Sequence, residues 1–300
     1  MLGEVEAVTE RRRLVRVPAS SANLGPGYDV LAAAVDLFLE LEVTEVGEFS
    51  VGTDLDLPDS RSNLCVRAFE QLHAADGLRF EISSEIPLAR GLVSSAAAIV
   101  AGLMAADHLF ELGLSPAEIY GHAVELEGHP DNVGAALYGG VVVCPAPERG
   151  VQPPPVRLEP PQGVEAVLVI PDEEVVTADA RAAMPPVIPV NDAVANVAAA
   201  TQLVLGIERS DLGLISRGLV DRLHQPARHD LYPRSLDLVD RAAELGALGA
   251  TISGAGPSVL LWSYWQDTGK VVEAANAEVG GWAEVRRLAF SPRGADVPEL

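Results

Sequence analysis

Residues 94–110, SSAAAIVAGLMAADHLF, are alanine-rich and apolar on almost every side until the last turn. A helix that is apolar all round has no face to give to water, so other elements must enclose it. The chain therefore needs a layered fold with a buried helix near its centre. Just before this run stands Pro87-Leu88-Ala89-Arg90-Gly91-Leu92-Val93, where Gly91 permits a tight backbone turn. Ser94, Ser95, Ala96 and Ala97 then open the helix. The first turn of a helix leaves N–H groups unpaired and carries partial positive charge, so a phosphate can bind there without a lysine. A serine hydroxyl in that turn can also reach a metal ion held by the phosphates. Taken alone, helix-start chemistry favours a plainer reading, a serine-capped core helix.

Around this helix the pattern is mixed. Strand-like runs occur at 14–18, 37–43, 79–83, 139–144, 166–170 and 258–262, and helix-like runs at 115–127, 192–208 and 236–246. Ser115-Pro116-Ala117-Glu118 predicts a capping box with proline at the first helical position. Strands and helices intermix without a regular βαβ rhythm, so the expected class is α+β. Residues 145–161 hold seven prolines in seventeen positions. Proline neither continues a helix nor donates to a central ladder, which makes this a linker or an edge segment. Two domains are expected, 1–155 and 156–300.

Composition removes several functions. The formal charge is −22, from 21 basic and 43 acidic residues. Such a surface repels nucleic acid and anionic membranes, so neither is expected as a partner. The chain has one lysine, Lys270, in the polar stretch QDTGK. No P-loop lysine motif exists, and a lysine Schiff base has no evident pocket. Cys65 and Cys144 sit in apolar runs, as reduced, buried cysteines do. No Gly-x-Ser-x-Gly nucleophile motif and no His-Glu-x-x-His metal motif occurs. The first residues carry no apolar stretch of signal-peptide length, and no run reaches the roughly 20 apolar residues of a membrane span. A cytoplasmic location is expected.

Three further segments carry chemistry. In Pro18-Ala-Ser-Ser-Ala-Asn23-Leu-Gly-Pro-Gly27-Tyr-Asp29, small residues let the backbone approach a ligand, and Asn23 and Asp29 offer polar contacts. An ordinary turn, with both side chains bonded to their own backbone, explains it equally. Glu125-Leu-Glu127-Gly-His129-Pro-Asp131-Asn132 gathers three carboxylates, a histidine and an amide at a helix end. These hard oxygens suit Mg²⁺, and a close carboxylate can serve as a base. In Ser253-Gly254-Ala255-Gly256-Pro257-Ser258, the third glycine of a dinucleotide fingerprint is missing and a strand follows, so a glycine loop approaching another loop or a ligand is expected.

Together and in this order, the four segments resemble the family of galacto-, homoserine, mevalonate and phosphomevalonate kinases, over about residues 14–292. PASSANLGPGYD and EGHPDNV are most similar to its homoserine-phosphorylating branch, with Ser20 and Tyr28 where Thr and Phe are usual. Thr177–Pro185 and Asp221–Arg228 fit the same branch. The resemblance implies a two-domain kinase fold, ribosomal-S5-like in its N-terminal domain and ferredoxin-like in its C-terminal domain. It implies ATP and Mg²⁺ as cofactors, L-homoserine as substrate, a role in threonine biosynthesis, and a homodimer as an assembly the fold often forms. Residues 87–97 would be the ATP loop, with Asn63 near the adenine and Ser253–Gly256 the third motif. Ser95 and Glu125 would hold the metal. Asn23, Asp29, His129, Arg181 and Arg228 would contact the amino acid. An aspartate for the ammonium and two arginines for the carboxylate agree with the chemistry of a zwitterion.

Asn132 would orient the acceptor hydroxyl, with Asp131 close. A loose phosphoryl transition state asks little of the nucleophile, so Asp131 is not expected to be an essential base. Val93 stands where the family has glycine, which implies weakened nucleotide binding or a reshaped loop. Two rival readings are a sensor that kept the fold, with Val93 as its sign, and a kinase of the same fold for another hydroxylated substrate.

Overall fold

A computed structural model of the chain describes residues 11–148 and 150–298. The expectation that the N-terminus lacks a signal-like run falls largely on residues 1–10, outside this range. The order of elements is β1 (Arg12–Ala22), β2 (Leu31–Glu45), β3 (Ser50–Thr53), α1 (Leu64–Phe69), β4 (Leu78–Ser84), α2 (Ser94–Phe110), α3 (Pro116–Glu127), α4 (Pro130–Tyr138), β5 (Val141–Val143) and β6 (Val156–Leu158). The second half holds β7 (Val164–Pro171), α5 (Thr177–Ala182), α6 (Val190–Arg209), α7 (Leu212–Gly218), a 3-10 turn (Pro226–Leu231), α8 (Pro233–Asp240), β8 (Gly249–Ile252), β9 (Val259–Tyr264), α9 (Thr268–Val279) and β10 (Ala283–Leu288).

The first sheet runs β3-β4-β2-β5-β6, with β1 paired to β2. The β1–β2 register shifts between Pro18 and Ala19, where proline has no N–H to give the ladder. β6 is the edge strand and carries the proline-rich segment's only described ladder pairing with β5. α2 is enclosed as its composition requires, against β1, β2, α1, α3 and α4. Gly102 lets α1 come close, since a Cβ there would collide with the Cys65 carbonyl.

The second sheet runs β10-β7-β9-β8 and is antiparallel throughout. Its central strands β7 and β9 are largely apolar on both sides because both sides are covered. Val167, Val169, Val259 and Leu261 pack with α8 and α9. Ala166, Leu168, Leu260 and Trp262 join Leu203 of α6 and Ile215 of α7 in the core that continues into the first half. The C-terminal end returns to the first sheet, where Asp296 N–H donates to the Arg16 carbonyl at 2.9 Å.

Two expectations are corrected. The helix over 236–246 starts earlier and stops at Asp240, the chain reaching Gly246 in tight turns. The acidic cluster of 125–132 does not sit at one helix end. Gly128, at φ +80°, closes α3, and Pro130 at once opens α4. Asp131 therefore lies in the first turn of a helix, where the helix dipole favours an acidic residue rather than opposing it. Among the described residues, α6 alone is long and apolar enough to cross a membrane by length and composition. In this fold it packs on α7 and buries Asn196, Leu203 and Ile207.

Candidate active site

The start of α2 opens into a cleft of about 390 Å³ lined by all four motifs. Ala89, Gly91 and Val93 have positive φ (54°, 81° and 42°), interleaved with Arg90 and Leu92, which do not. Alternating handedness of this kind turns successive N–H groups towards one concavity, which suits an anion. Val93 is the N-cap of α2 and offers no side-chain cap, so the N–H groups of the first turn are left for a ligand. The run 87–97 divides by role. Ala89, Gly91, Val93, Ser94 and Ser95 line the cleft. Leu92, Ala96 and Ala97 do not: they are wholly buried in the core. The Arg90 side chain is spent on the protein, its guanidinium donating to the carbonyls of Pro171 (2.8 Å) and Asp172 (3.0 Å) and tying the loop to β7.

The loop thus keeps its left-handed turn and places valine in it. A β-branched residue there is strained by about 1–3 kcal/mol. Val93 also lines the cleft. Val93→Gly is expected to lower the KM for ATP several-fold and to raise the thermal midpoint, since relief of strain exceeds the ~0.5–1 kcal/mol entropic cost of glycine. Steady-state kinetics and a thermal scan check both. A higher KM for ATP would show that the valine fills the site usefully.

The third motif packs backbone to backbone against this loop. Ser253 Oγ donates to the Gly91 carbonyl at 2.8 Å, and a Cβ at Gly91 would collide with the Ser253 carbonyl. Gly254, Ala255 and Gly256 complete the wall of the cleft.

Beyond the loop the cleft is charged. Asp29, at φ +56°, pairs with Arg181 of α5 through two bonds, 2.8 and 3.3 Å. Arg181 also donates to the Tyr28 hydroxyl at 3.3 Å. Arg228 is 2% exposed and sits over the Tyr28 ring at 5.5 Å. Its Nε donates to the Ala180 carbonyl (2.9 Å) and its Nη1 to the Gly254 carbonyl (3.1 Å). Asn23 is committed to the protein: its amide donates to the Gly254 carbonyl (2.8 Å) and accepts from Asp29 N–H (3.0 Å). It shapes the loop that holds Asp29. His129, the N-cap of α4, faces the cleft beside Glu127, 3.9 Å away.

Two buried acceptors face the cleft without a donor among the described residues: Asp131 Oδ2 and Asn132 Oδ1. Buried polar atoms are nearly always paired, so unpaired ones in a cleft mark where a ligand completes the structure. Burial, reinforced by the nearby charge of Asp29, pushes the Asp131 carboxyl up to about 6. The opposite influence, the Asn132 N–H bond to Asp131 Oδ1 at 2.9 Å, is smaller.

The metal expectation is half corrected. Ser95 Oγ donates to Glu127 Oε1 at 2.9 Å, and both line the cleft. Glu125 is exposed and lies outside it. Two residues along a helix turn by about 200°, so only one of the two glutamates can face inwards. Among the described residues, no three His, Cys, Asp or Glu side chains gather to hold a metal by themselves. A hydroxyl and a carboxylate are nevertheless a fitting share for Mg²⁺, which takes the rest of its shell from phosphates and water.

An apolar slot of about 200 Å³ adjoins the cleft and shares Ser94 and Ser95 with it. Leu39, Leu55, Leu57, Leu64 and Leu88 line it, as a flat heterocycle requires. Asn63 borders it but is occupied, donating to the Pro58 carbonyl (2.9 Å) and capping α1 through Cys65 N–H (3.0 Å). The sequence reading missed Leu55, Leu57 and Tyr28. Only Tyr28 stood inside a motif.

An apolar slot, a helix start with open N–H groups and an adjoining charged cleft define a small-molecule kinase. The GHMP kinase N-terminal domain model matches residues 63–140, and the GHMP kinase C-terminal model matches 203–280. The chain belongs to the GHMP kinase family and is an ATP-dependent kinase. A homoserine kinase of Moorella thermoacetica is 38% identical over 298 residues, 95% of this chain and 99% of that protein. One of Deinococcus radiodurans is 41% identical over 255 residues, 82% of each. The crystal structure of homoserine kinase from Cytophaga hutchinsonii superposes with a TM-score of 0.85 at 30% identity, covering 99% of this chain and 100% of that one. L. major mevalonate kinase in complex with R-mevalonate, at TM-score 0.69 and 17% identity over 96% of this chain and 97% of that one, shares the fold.

Proposed function

We propose that this chain transfers the γ-phosphoryl group of ATP to the side-chain hydroxyl of L-homoserine, giving O-phospho-L-homoserine and ADP for threonine biosynthesis. The observation that carries the reading is the Asp29 carboxylate grouped with two guanidiniums, Arg181 and Arg228, in the cleft at the start of α2. That set complements a zwitterion. The substrate ammonium takes Asp29 from Arg181, and the substrate carboxylate takes the two arginines. A hydroxy acid without an amine leaves Asp29 with no such role.

In this reading the loop N–H groups and the first turn of α2 bind the phosphates, and the leucine slot receives the base. Ser95 and Glu127 would hold Mg²⁺, which when bound neutralises phosphate charge. Asn132 Oδ1 accepts the hydroxyl hydrogen of the substrate and points its oxygen at the γ-phosphorus. The bond from the γ-phosphorus to the β-phosphate oxygen breaks as the new P–O bond forms, and the hydroxyl proton passes late to Asp131 Oδ2, or to an oxygen of the transferred phosphoryl group when that carboxylate is absent. Positioning and charge neutralisation supply most of the acceleration. The net charge of −22 supports an enzyme without nucleic-acid or anionic-membrane partners, and a cytoplasmic location belongs to the same reading. A homodimer belongs to the same reading, supported by the solvent face of α6, where Val190, Val194 and Val197 are exposed.

ADP release measured across L-homoserine, L-homoserinol, mevalonate and galactose tests the substrate. L-Homoserine is expected to exceed L-homoserinol, which lacks the carboxylate, by roughly 100-fold in kcat/KM. Turnover of mevalonate or galactose without turnover of L-homoserine would overturn the reading.

A further inference from the structure

Arg228 is a buried cation whose protein partners are all neutral. Besides the two carbonyls, its Nη1 meets His224 Nδ1 at 3.2 Å. His224 is wholly buried, and its Nε2 lies 2.8 Å from the Gly25 carbonyl. These contacts fix its proton. A carbonyl can only accept, so Nε2 must carry the hydrogen; a guanidinium can only donate, so Nδ1 must be the bare lone pair. Burial, opposed in part by Asp221 and aided by Arg228, lowers the imidazole below its usual range, which agrees with a neutral ring.

The ring is itself held firmly. The Asp221 carboxylate accepts from the Asn196 side chain of α6 (2.8 Å) and from the N–H groups of Leu223 (2.9 Å), His224 (3.0 Å) and Gln225 (2.7 Å). Those four donors saturate the carboxylate, so Asp221 builds the turn without pairing with Arg228. A carboxylate in place of the imidazole would orient Arg228 equally well. It would also cancel the charge that a ligand in the cleft needs.

We propose that His224 is a positioning residue for substrate binding: its Nδ1 lone pair aims the Arg228 guanidinium while leaving the full positive charge available to the substrate carboxylate. The three neutral bonds take Nε and Nη1, and leave the Nη2 arm free of them. The proposal rests on the homoserine reading above and adds the residue that sets its carboxylate selectivity.

Two variants separate positioning from mere packing. An asparagine amide oxygen can stand where Nδ1 stands, and a glutamine amide nitrogen where Nε2 stands. His224→Asn keeps an acceptor for Arg228 and loses the Gly25 bond. His224→Gln keeps the Gly25 bond and loses the acceptor. Hydrogen bonds to charged groups imply roughly a 10-fold or greater rise in KM for L-homoserine in His224→Gln. KM for ATP should stay within about 2-fold, and the preference for L-homoserine over L-homoserinol should shrink by the same factor. His224→Asn should keep both the KM and the preference within about 3-fold of wild type. Equal losses in the two variants, or a His224→Gln enzyme with undiminished preference, overturn the proposal.

Nitrogen-15 shifts of His224 in the wild-type protein decide the matter even where the variants fail to fold. The Nε2–H tautomer, constant from pH 6 to 8, is expected; an Nδ1–H or charged ring overturns it. A wild type indifferent to the substrate carboxylate contradicts the homoserine reading, while the tautomer still decides the role of His224.

Discussion

Replacing Arg228 by methionine is expected to raise the KM for L-homoserine by on the order of 100-fold or more, with the KM for ATP within a few-fold of wild type. The reason is where the charge sits. Arg228 is 2% exposed, and no protein carboxylate is bonded to it among the described residues. A substrate carboxylate that gives up water on entering the cleft then has this guanidinium as its main compensation. Loss of one partner of a buried charge pair leaves the other unpaired, at roughly 2–5 kcal/mol. Arg228→Lys should recover only part of the effect, because an ammonium keeps the charge but not the planar fork. Initial-rate kinetics with each substrate varied separates the two KM values. A variant that loses ATP binding and homoserine binding together would place Arg228 on the nucleotide, contrary to the geometry.

The second large effect has two signs. Asp131→Asn is expected to lower kcat by roughly 10-fold, and by no more than about 100-fold, because general-base help counts for less when the proton leaves late. The same change should stabilise the protein. The folded carboxyl lies at about 6. An unfolded aspartate lies near 3.9. Between those values the folded state binds more protons than the unfolded one, so stability falls as pH rises from about 4 to about 6. At pH 7 the full penalty is present, on the order of 1–3 kcal/mol, and asparagine removes it. The variant should therefore melt several degrees higher at pH 7, with the gap closing towards pH 4. In kcat/KM the wild type should fall off below pH 6 as Asp131 takes up its proton, and the variant should lack that limb. A limb that persists belongs to another group.

Legibility from sequence differed with what set each feature. The limits of α2 and the cap of α3 follow from local chemistry: an all-apolar run and a Ser-Pro-x-Glu start. That the third motif approaches another loop or a ligand also follows from its glycines, but that the partner is the turn at Gly91 does not. Glu125 and Glu127 are indistinguishable as metal ligands in the sequence, because which glutamate of α3 faces inwards is decided by α2 and α4 packing against it. The break at Gly128, with Pro130 restarting a helix, was visible as residues but read as a turn, so Asp131 was assigned to the wrong kind of helix end. Asn23, Asn63 and Arg90 were read as ligand contacts from their motifs. Each has side-chain bonds to backbone distant in sequence or in a neighbouring turn, which no residue spacing reveals. The danger of a left-handed conformation at Val93 is legible from the motif, and Val93 does adopt it, at φ 42° and ψ 58°.

Transfer of labelled phosphate from [γ-³²P]ATP is the most direct measurement. With L-homoserine and Mg²⁺ present, label should appear in O-phospho-L-homoserine in step with ADP, and omission of L-homoserine should abolish both. ADP formed at the same rate with and without L-homoserine, or label found only in inorganic phosphate, would contradict the assignment of the Pro87–Ala97 loop and its charged cleft to this reaction.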